Sequence, residues 1–336
     1  MATLIKDGTI SLNTCPSVSA FAAAVGKMEG EGPLASSFDY IAEDVTLGES
    51  SWEKSESKLQ QIAFSTALSK GSFSEKNIDV LFAGDLLNQC VSSSYGARDT
   101  EIPFLGLFGA CSTMAEGLGL ASVFVDSGSA VNAAAVTSSH FCSAERQFRL
   151  PVNYGGQRTP TAQWTATAAG CAVVSPHNKA PYVRAFTVGK IKDMGITDAN
   201  NMGAAMAAAA YDTVSRHLCN TGQSIDNFDL ILTGDLGKVG RDILIELFKK
   251  DGVDISEKHN DCGIMLFDPK KQDVHAGGSG CGCSASVLCS YVLDEIQQGK
   301  LNKVLFAATG ALMSPTIVQQ GESIPGISHA VELSSC

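Results

Sequence analysis

The chain has 336 residues, 44% of them hydrophobic and 18% charged, enough apolar material for one large domain or two. A formal net charge of −11 and the lack of any long Lys/Arg cluster exclude a nucleic-acid binder. Eleven cysteines, an odd number without a C-x-x-C pair, fit buried reduced thiols better than a disulfide framework and argue against a structural zinc site.

In chain order, the opening "MATLIKDGTISLN" has its apolar residues interrupted by Lys6 and Asp7, so no signal peptide is expected there. The apolar runs "GLGLASVFV" and "MGAAMAAAAY" fall short of the roughly 20 residues a membrane span needs, which points to a soluble protein. A helix is expected over 50–70, then a buried strand within "NIDVLFAGDLLNQ" (77–89). The uncharged stretch "IPFLGLFGA" leads into Cys111, and "STMAEGLGLASVFVDSG" behind it reads as a small-residue helix closed by Gly128. A second buried strand follows in "AAAVTSS" (133–139).

The pattern then repeats. "NFDLILTGDLGKV" (227–239) resembles the first strand segment, with Asp79, Gly84, Asp85 and Leu86 recurring 150 positions on as Asp229, Gly234, Asp235 and Leu236. The 111–128 segment is matched by 282–299, and 133–139 by "LFAATGA" (305–311). Helix 201–219 leads the second set as 50–70 leads the first. Helices alternating with short apolar strands imply an α/β protein with mainly parallel pairing, in two similar halves of 1–175 and 176–336. The seam falls in "SPHNKAPY" (175–182), where polar and Pro residues break the pattern.

Cys111 is the candidate site. At the end of a strand and the start of a helix, its thiol meets unpaired N–H groups and the positive end of the helix dipole. That setting can make a cysteine nucleophilic. It can equally receive the carboxylate of a ligand with no chemistry, or simply hold a small buried side chain.

"GACSTMAEGLGLA", the duplicated halves, "GGSGCGCSAS" and "AATGALMSP" together resemble the thiolase and ketoacyl-synthase superfamily. "SSHFCSAERQFR", "PVNYGGQRTPTAQWT" and "IPGISHAVEL" narrow the resemblance to the stage V sporulation protein AD family of spore-forming bacteria. The resemblance implies a thiolase-like fold, two α/β halves in five α-β-α-β-α layers, with Cys111 at the nucleophile position. Gly234 or Asp235 then stands where a ketoacyl synthase has its histidine, and Cys281 where it has Asn or His. The second thiolase cysteine would fall near Ala308. With those partners missing, the resemblance implies a pocket that has kept its shape and lost its reaction.

Of the six histidines, His140 and His329 are expected near the pocket, and His275 less so. His177 and His259 lie in polar, loop-like sequence and are expected at the surface. His217, near a helix C-terminus, reads as structural.

The sporulation resemblance implies dipicolinic acid (pyridine-2,6-dicarboxylic acid), free or as its calcium chelate, as ligand. It also implies partners among the membrane proteins of the same sporulation system, a peripheral place at the forespore or spore inner membrane, and a homodimer. Arg146, Arg149 and Arg158 could pair with a carboxylate bidentately, and Phe148 and Tyr154 between them could flank an aromatic ring. Structural ion pairs are the alternative for each arginine. No resident cofactor is expected. Calcium would enter with the ligand, with Asp85 or Asp235 as possible oxygen donors. The competing reading is an acyltransferase acting on a thioester through Cys111, with Cys281, His140 or His329 in the partner roles.

Overall fold

A computed structural model describes residues 1–148 and 157–336. Ten strands carry the architecture: β1 (Ser17–Val25), β2 (Val80–Gly84), β3 (Phe104–Leu107), β4 (Ala133–Ser139), β5 (Ala168–Ser175), β6 (Tyr182–Thr187), β7 (Leu230–Thr233), β8 (His259–Asp261), β9 (Lys303–Ala311) and β10 (Gly326–Ser334). They are ordered β8-β7-β9-β10-β6-β1-β5-β4-β2-β3, with short flanking strands at Thr3–Lys6, Thr9–Ser11 and Tyr40–Ile41. From the middle outward each side reads alike: β1-β5-β4-β2-β3 one way and β6-β10-β9-β7-β8 the other. Strand n of the first half corresponds to strand n+5 of the second. Between β6 and β1 a single register pair, Tyr182 with Ser17, joins the two sides.

The pairing corrects one expectation. β2 runs parallel to β3 and β4, and β7 to β8 and β9. The central strands, however, pair antiparallel: β4 with β5, β5 with β1, β9 with β10 and β10 with β6. Each sheet is therefore mixed. Fully buried strands such as "AAGCAVVS" read as apolar on both faces, and such a run carries no sign of strand direction.

Helices cover and separate the sheets. α1 (Trp52–Gly71) begins at Ser51, whose side chain accepts from Lys54 N, and ends at Ser72 in the left-handed region. Its buried stripe of Leu59, Ala63, Phe64 and Ala67 lies on β1, β5 and β4. α2 (Thr113–Asp126) packs on β4 and β2 of its own half and on β9 and β10 of the other. A short helix, α3 (Phe141–Phe148), follows β4. α4 (Met202–Thr221) covers β9 and β10, with α5 (Gly237–Lys250) beside it. α6 (Cys281–Val287) lies against β4 and β5 of the first half, so α2 and α6 form a buried middle layer. Gly170 of β5 sits so close to the Ala285 backbone that a Cβ there would collide with it.

The two halves repeat small details as well. Ser74 and Asn77 form a capping box before β2, and Ser224 and Asn227 form the same box before β7. Asp79 accepts from Val131 N and Asn132 N, as Asp229 accepts from Asn302 N and Lys303 N. Both carboxylates thus pin the chain entering a neighbouring strand.

Candidate functional site

The elbow between β3 and α2 is tight. Ala110 has φ 47°, a left-handed conformation a residue with a Cβ adopts only under compulsion, and Cys111 sits in the single turn that leads into α2. Gly310 of β9 presses on this turn from the other half. A Cβ on Gly310 would run into Gly109 O and crowd the amide nitrogens of Cys111 and Ser112. Only glycine lets β9 come this close to the elbow.

Beside the thiol stands Asp235, in the loop after β7. Its Oδ2 accepts from Ser279 Oγ at 2.9 Å and from Gly280 N at 3.1 Å, and its Oδ1 accepts from Thr309 Oγ1 at 2.7 Å. Ser279 Oγ lies 3.9 Å from Cys111 Sγ. Burial, then the Asp235 charge and the Cys281 thiol, push Cys111 well above the ordinary thiol range. Burial likewise raises Asp235, opposed by hydrogen bonds led by that from Cys111.

The thiol opens on a cavity of about 230 Å³. Leu86, Phe108, Phe148, Met202 and Met313 supply its apolar walls, and Thr165, Asn200, Ser279 and Glu145 its polar ones. Both halves contribute. Thr165 and Ser279 are register partners in a two-residue parallel ribbon, so the pleat turns both side chains to the same side, toward the cavity.

Of the residues expected at the site, Cys111 lines the cavity, and Cys281 shares an apolar cluster with it, Leu86 and Ala144. The Cys281 thiol donates to Ser138 O at 2.9 Å. The others are placed elsewhere. His140 stacks on Trp52, with Nε2 2.7 Å from Val45 O and Nδ1 accepting from Cys142 N, so it is a neutral, buried ring. His329 Nδ1 accepts from Gly189 N, and burial lowers its pKa to about 4. Arg146 pairs at the surface with Glu53, although its helix sends Ala144 and Phe148 into the cavity. Arg158 lies over the Trp164 ring, 4.6 Å from its centroid, and donates to Asp273 O. Arg149 and Tyr154 lie outside the described residues.

Other expectations also change. His259 is buried in β8 against Thr233, not exposed; strand pairing with β7 draws it inward. His217 is structural, its ring bridging Thr187 of β6 and Glu332 of β10. His275 Nε2 lies 3.0 Å from Asp273 Oδ1 near the surface. Asp85 spends its oxygens on Leu87 N and on Ser93 N and Oγ. Among the described residues no cluster of His, Cys, Asp or Glu is arranged to hold a metal ion. The sequence reading missed Ser279, whose only signal was its place two residues before Cys281 in the glycine-rich loop. It also missed Asn200, Met202 and Met313, which come to the cavity from distant segments.

Comparison with known proteins places this geometry. The family model of stage V sporulation protein AD matches residues 6–334. The chain belongs to the stage V sporulation protein AD family. It is 47% identical over 314 residues to the stage V sporulation protein AD of Bacillus subtilis (strain 168), covering 94% of this chain and 93% of that one. Among solved structures it is similar to 3-oxoacyl-[acyl-carrier-protein] synthase III from Aquifex aeolicus VF5, with TM-score 0.58, 14% identity, and 95% and 99% of the two chains covered. A cerulenin-bound OleA from Xanthomonas campestris gives TM-score 0.60 at 14% identity over 95% and 96% of the chains. The fold is thus that of the thiolase and ketoacyl-synthase III group, on a family with a role in sporulation. Among the described residues no helix is long and apolar enough to cross a membrane.

Proposed function

We propose that this family member binds dipicolinic acid, free or as its calcium chelate, in the cavity at Cys111, without covalent chemistry. The observation that carries the reading is the carboxylate beside the thiol. Asp235 stands where a cysteine acyltransferase needs a base, and its oxygens are already committed to Ser279, Gly280 and Thr309. What remains is a cavity with apolar walls for a ring and a few polar groups to orient it. The Cys111 turn stands at the positive end of α2, a setting that suits a carboxylate. In this role the protein is a peripheral component of dipicolinate movement in sporulation and germination, docking on membrane proteins of the same system.

The test is calorimetric titration of the purified protein with dipicolinate, with and without calcium, alongside acetyl-coenzyme A. Binding of dipicolinate that weakens in Cys111→Ala, with no response to the thioester, supports the reading. Acylation of Cys111 with dipicolinate silent rejects it in favour of an acyltransferase. Retention of a cysteine at the elbow of this fold is what favours that second reading.

The proposal includes a homodimer formed through β3. This strand ends one side of the sheet and exposes Phe104 and Leu105, with Phe108 just beyond, whereas its counterpart β8 is short, polar and mostly buried. An apolar edge strand with unpaired backbone groups pairs readily with its own copy about a two-fold axis.

A further inference from the structure

We propose that Asp235 is the residue that silences Cys111: it holds a buried negative charge beside the thiol, on a carboxyl group that three other donors, Ser279, Gly280 and Thr309, keep in its ionised form. This deepens the binding role and rests on it, since a cavity that only binds must contain a cysteine that does not react with what enters.

The hydrogen-bond directions support a charged carboxylate. Thr309 Oγ1 accepts from Asp235 N at 3.1 Å, so its own proton is available to Asp235 Oδ1, 2.7 Å away. Gly280 N can only donate, and does so to Oδ2 at 3.1 Å. Ser279 Oγ donates to the same oxygen at 2.9 Å. Three donors converging on one carboxyl favour its ionised form and offset part of the desolvation. The anion they secure is fully buried, where little solvent screens it. Forming a thiolate at Cys111 would place a second negative charge within the same shell.

The surroundings add little to relieve this. Among the described residues the other titratable side chains near the thiol are Glu116 on α2, Glu145 on α3, Asp261 on β8 behind Asp235, and the thiols Cys281 and Cys283 on α6. All are acidic groups. Among the described residues that line the cavity there is no lysine, arginine or histidine. The α2 N-terminus and the Ser279 hydroxyl favour a thiolate, and burial and the Asp235 carboxylate oppose it.

The experiment is timed alkylation of the full-length protein with iodoacetamide at pH 8, read at Cys111 by peptide mass spectrometry. The exposed Cys219 and Cys336 serve as internal references for reagent activity. In wild type Cys111 lags far behind them. Asp235→Asn removes the charge and is expected to speed alkylation of Cys111 about tenfold or more, the change in thiolate content for one pKa unit. Asp235→Glu keeps the charge and stays slow. If Asp235→Asn is no faster than wild type, or if Asp235→Glu is equally fast, the inference falls, because the charge is then not the cause. If Asp235→Asn does not fold, the rates of wild type and Asp235→Ser between pH 7 and 10.5 decide. A wild-type Cys111 rate that rises as an ordinary thiol ionises overturns the inference, and one that stays flat in wild type but rises in Asp235→Ser supports it. Dipicolinate titration of the same samples is independent of these rates, so failure of the ligand assignment is visible separately.

Discussion

Ser279 and Thr165 face each other across the smallest sheet in the molecule, and both side chains line the cavity that Cys111 opens on. The ribbon joins the two halves at the site itself, and Ser279 also carries a hydrogen bond to buried Asp235. Replacing Ser279 with Ala leaves one Asp235 lone pair without its donor in a dry setting. A loss of about 1–3 kcal/mol is expected in urea unfolding, with weaker dipicolinate binding in calorimetry.

Gly310 gives a sharper test of how the elbow is held. Gly310→Ala drives a methyl group into Gly109 O and toward the amides of Cys111 and Ser112. Overpacking of this kind costs about 1–3 kcal/mol. Because the strain falls on the cavity wall, ligand affinity should drop by more than it does for an equally destabilising change far from the site.

Acid should find Glu332. Burial disfavours its charge, but hydrogen bonds from His217, Lys303 and Gln223 and the His217 charge outweigh this and bring it down to about 2. A carboxylate depressed in the folded state stabilises above its unfolded pKa, near 4.5, and that contribution is lost as pH falls toward 2. The difference corresponds to roughly 3 kcal/mol. Glu332→Gln should therefore be less stable than wild type at pH 7, and the gap should close as pH falls from 4.5 toward 2, measured by denaturant unfolding.

Glu56 behaves in the opposite sense. It is buried on α1, accepts from Ser138 and Ser143, and among the described residues has no cationic hydrogen-bond partner. Burial, then the Asp85 charge, raise its pKa. A raised carboxyl costs the folded state as pH climbs from the usual carboxylate range through the folded value. Glu56→Gln is expected to match wild type near pH 4.5 and to exceed it in stability at pH 8.5.

The dimer proposal has its own readout. Leu105→Lys places a charge on the exposed apolar edge of β3, where a lysine can carry its ammonium group into solvent. Light scattering should report a dimer for wild type and a monomer for the variant, with unchanged circular dichroism.

Much of the fold was legible because duplication wrote it twice. Asp79, Gly84 and Asp85 recur as Asp229, Gly234 and Asp235, and the strands that carry them occupy matching places in the sheet. The elbow cysteine was legible from small residues between a strand and a helix. Strand direction was not, because β4, β5 and β9 are apolar on both faces. The histidines misled for a related reason. His259 has polar sequence neighbours, but strand pairing turns it inward, and His140 and His329 are consumed by backbone partners that lie far away in sequence. Arginines near the cavity in sequence, such as Arg146, point off the other face of α3, which a short helix with one buried side does not announce.

The middle layer has a consequence for how the chain comes apart. Val18, Phe82 and Leu118 share one continuous core with Leu288, Phe306 and Val331, so besides an outer core of its own each repeat has an interior completed only by the other. Severed at the seam, the first repeat would present α2 to water along the side that met β9 and β10, and the second would lose α6's support on β4 and β5. Neither is then a foldon of its own. The halves should melt in one cooperative transition, and an ancestor made of a single repeat could have been stable only as a pair of copies.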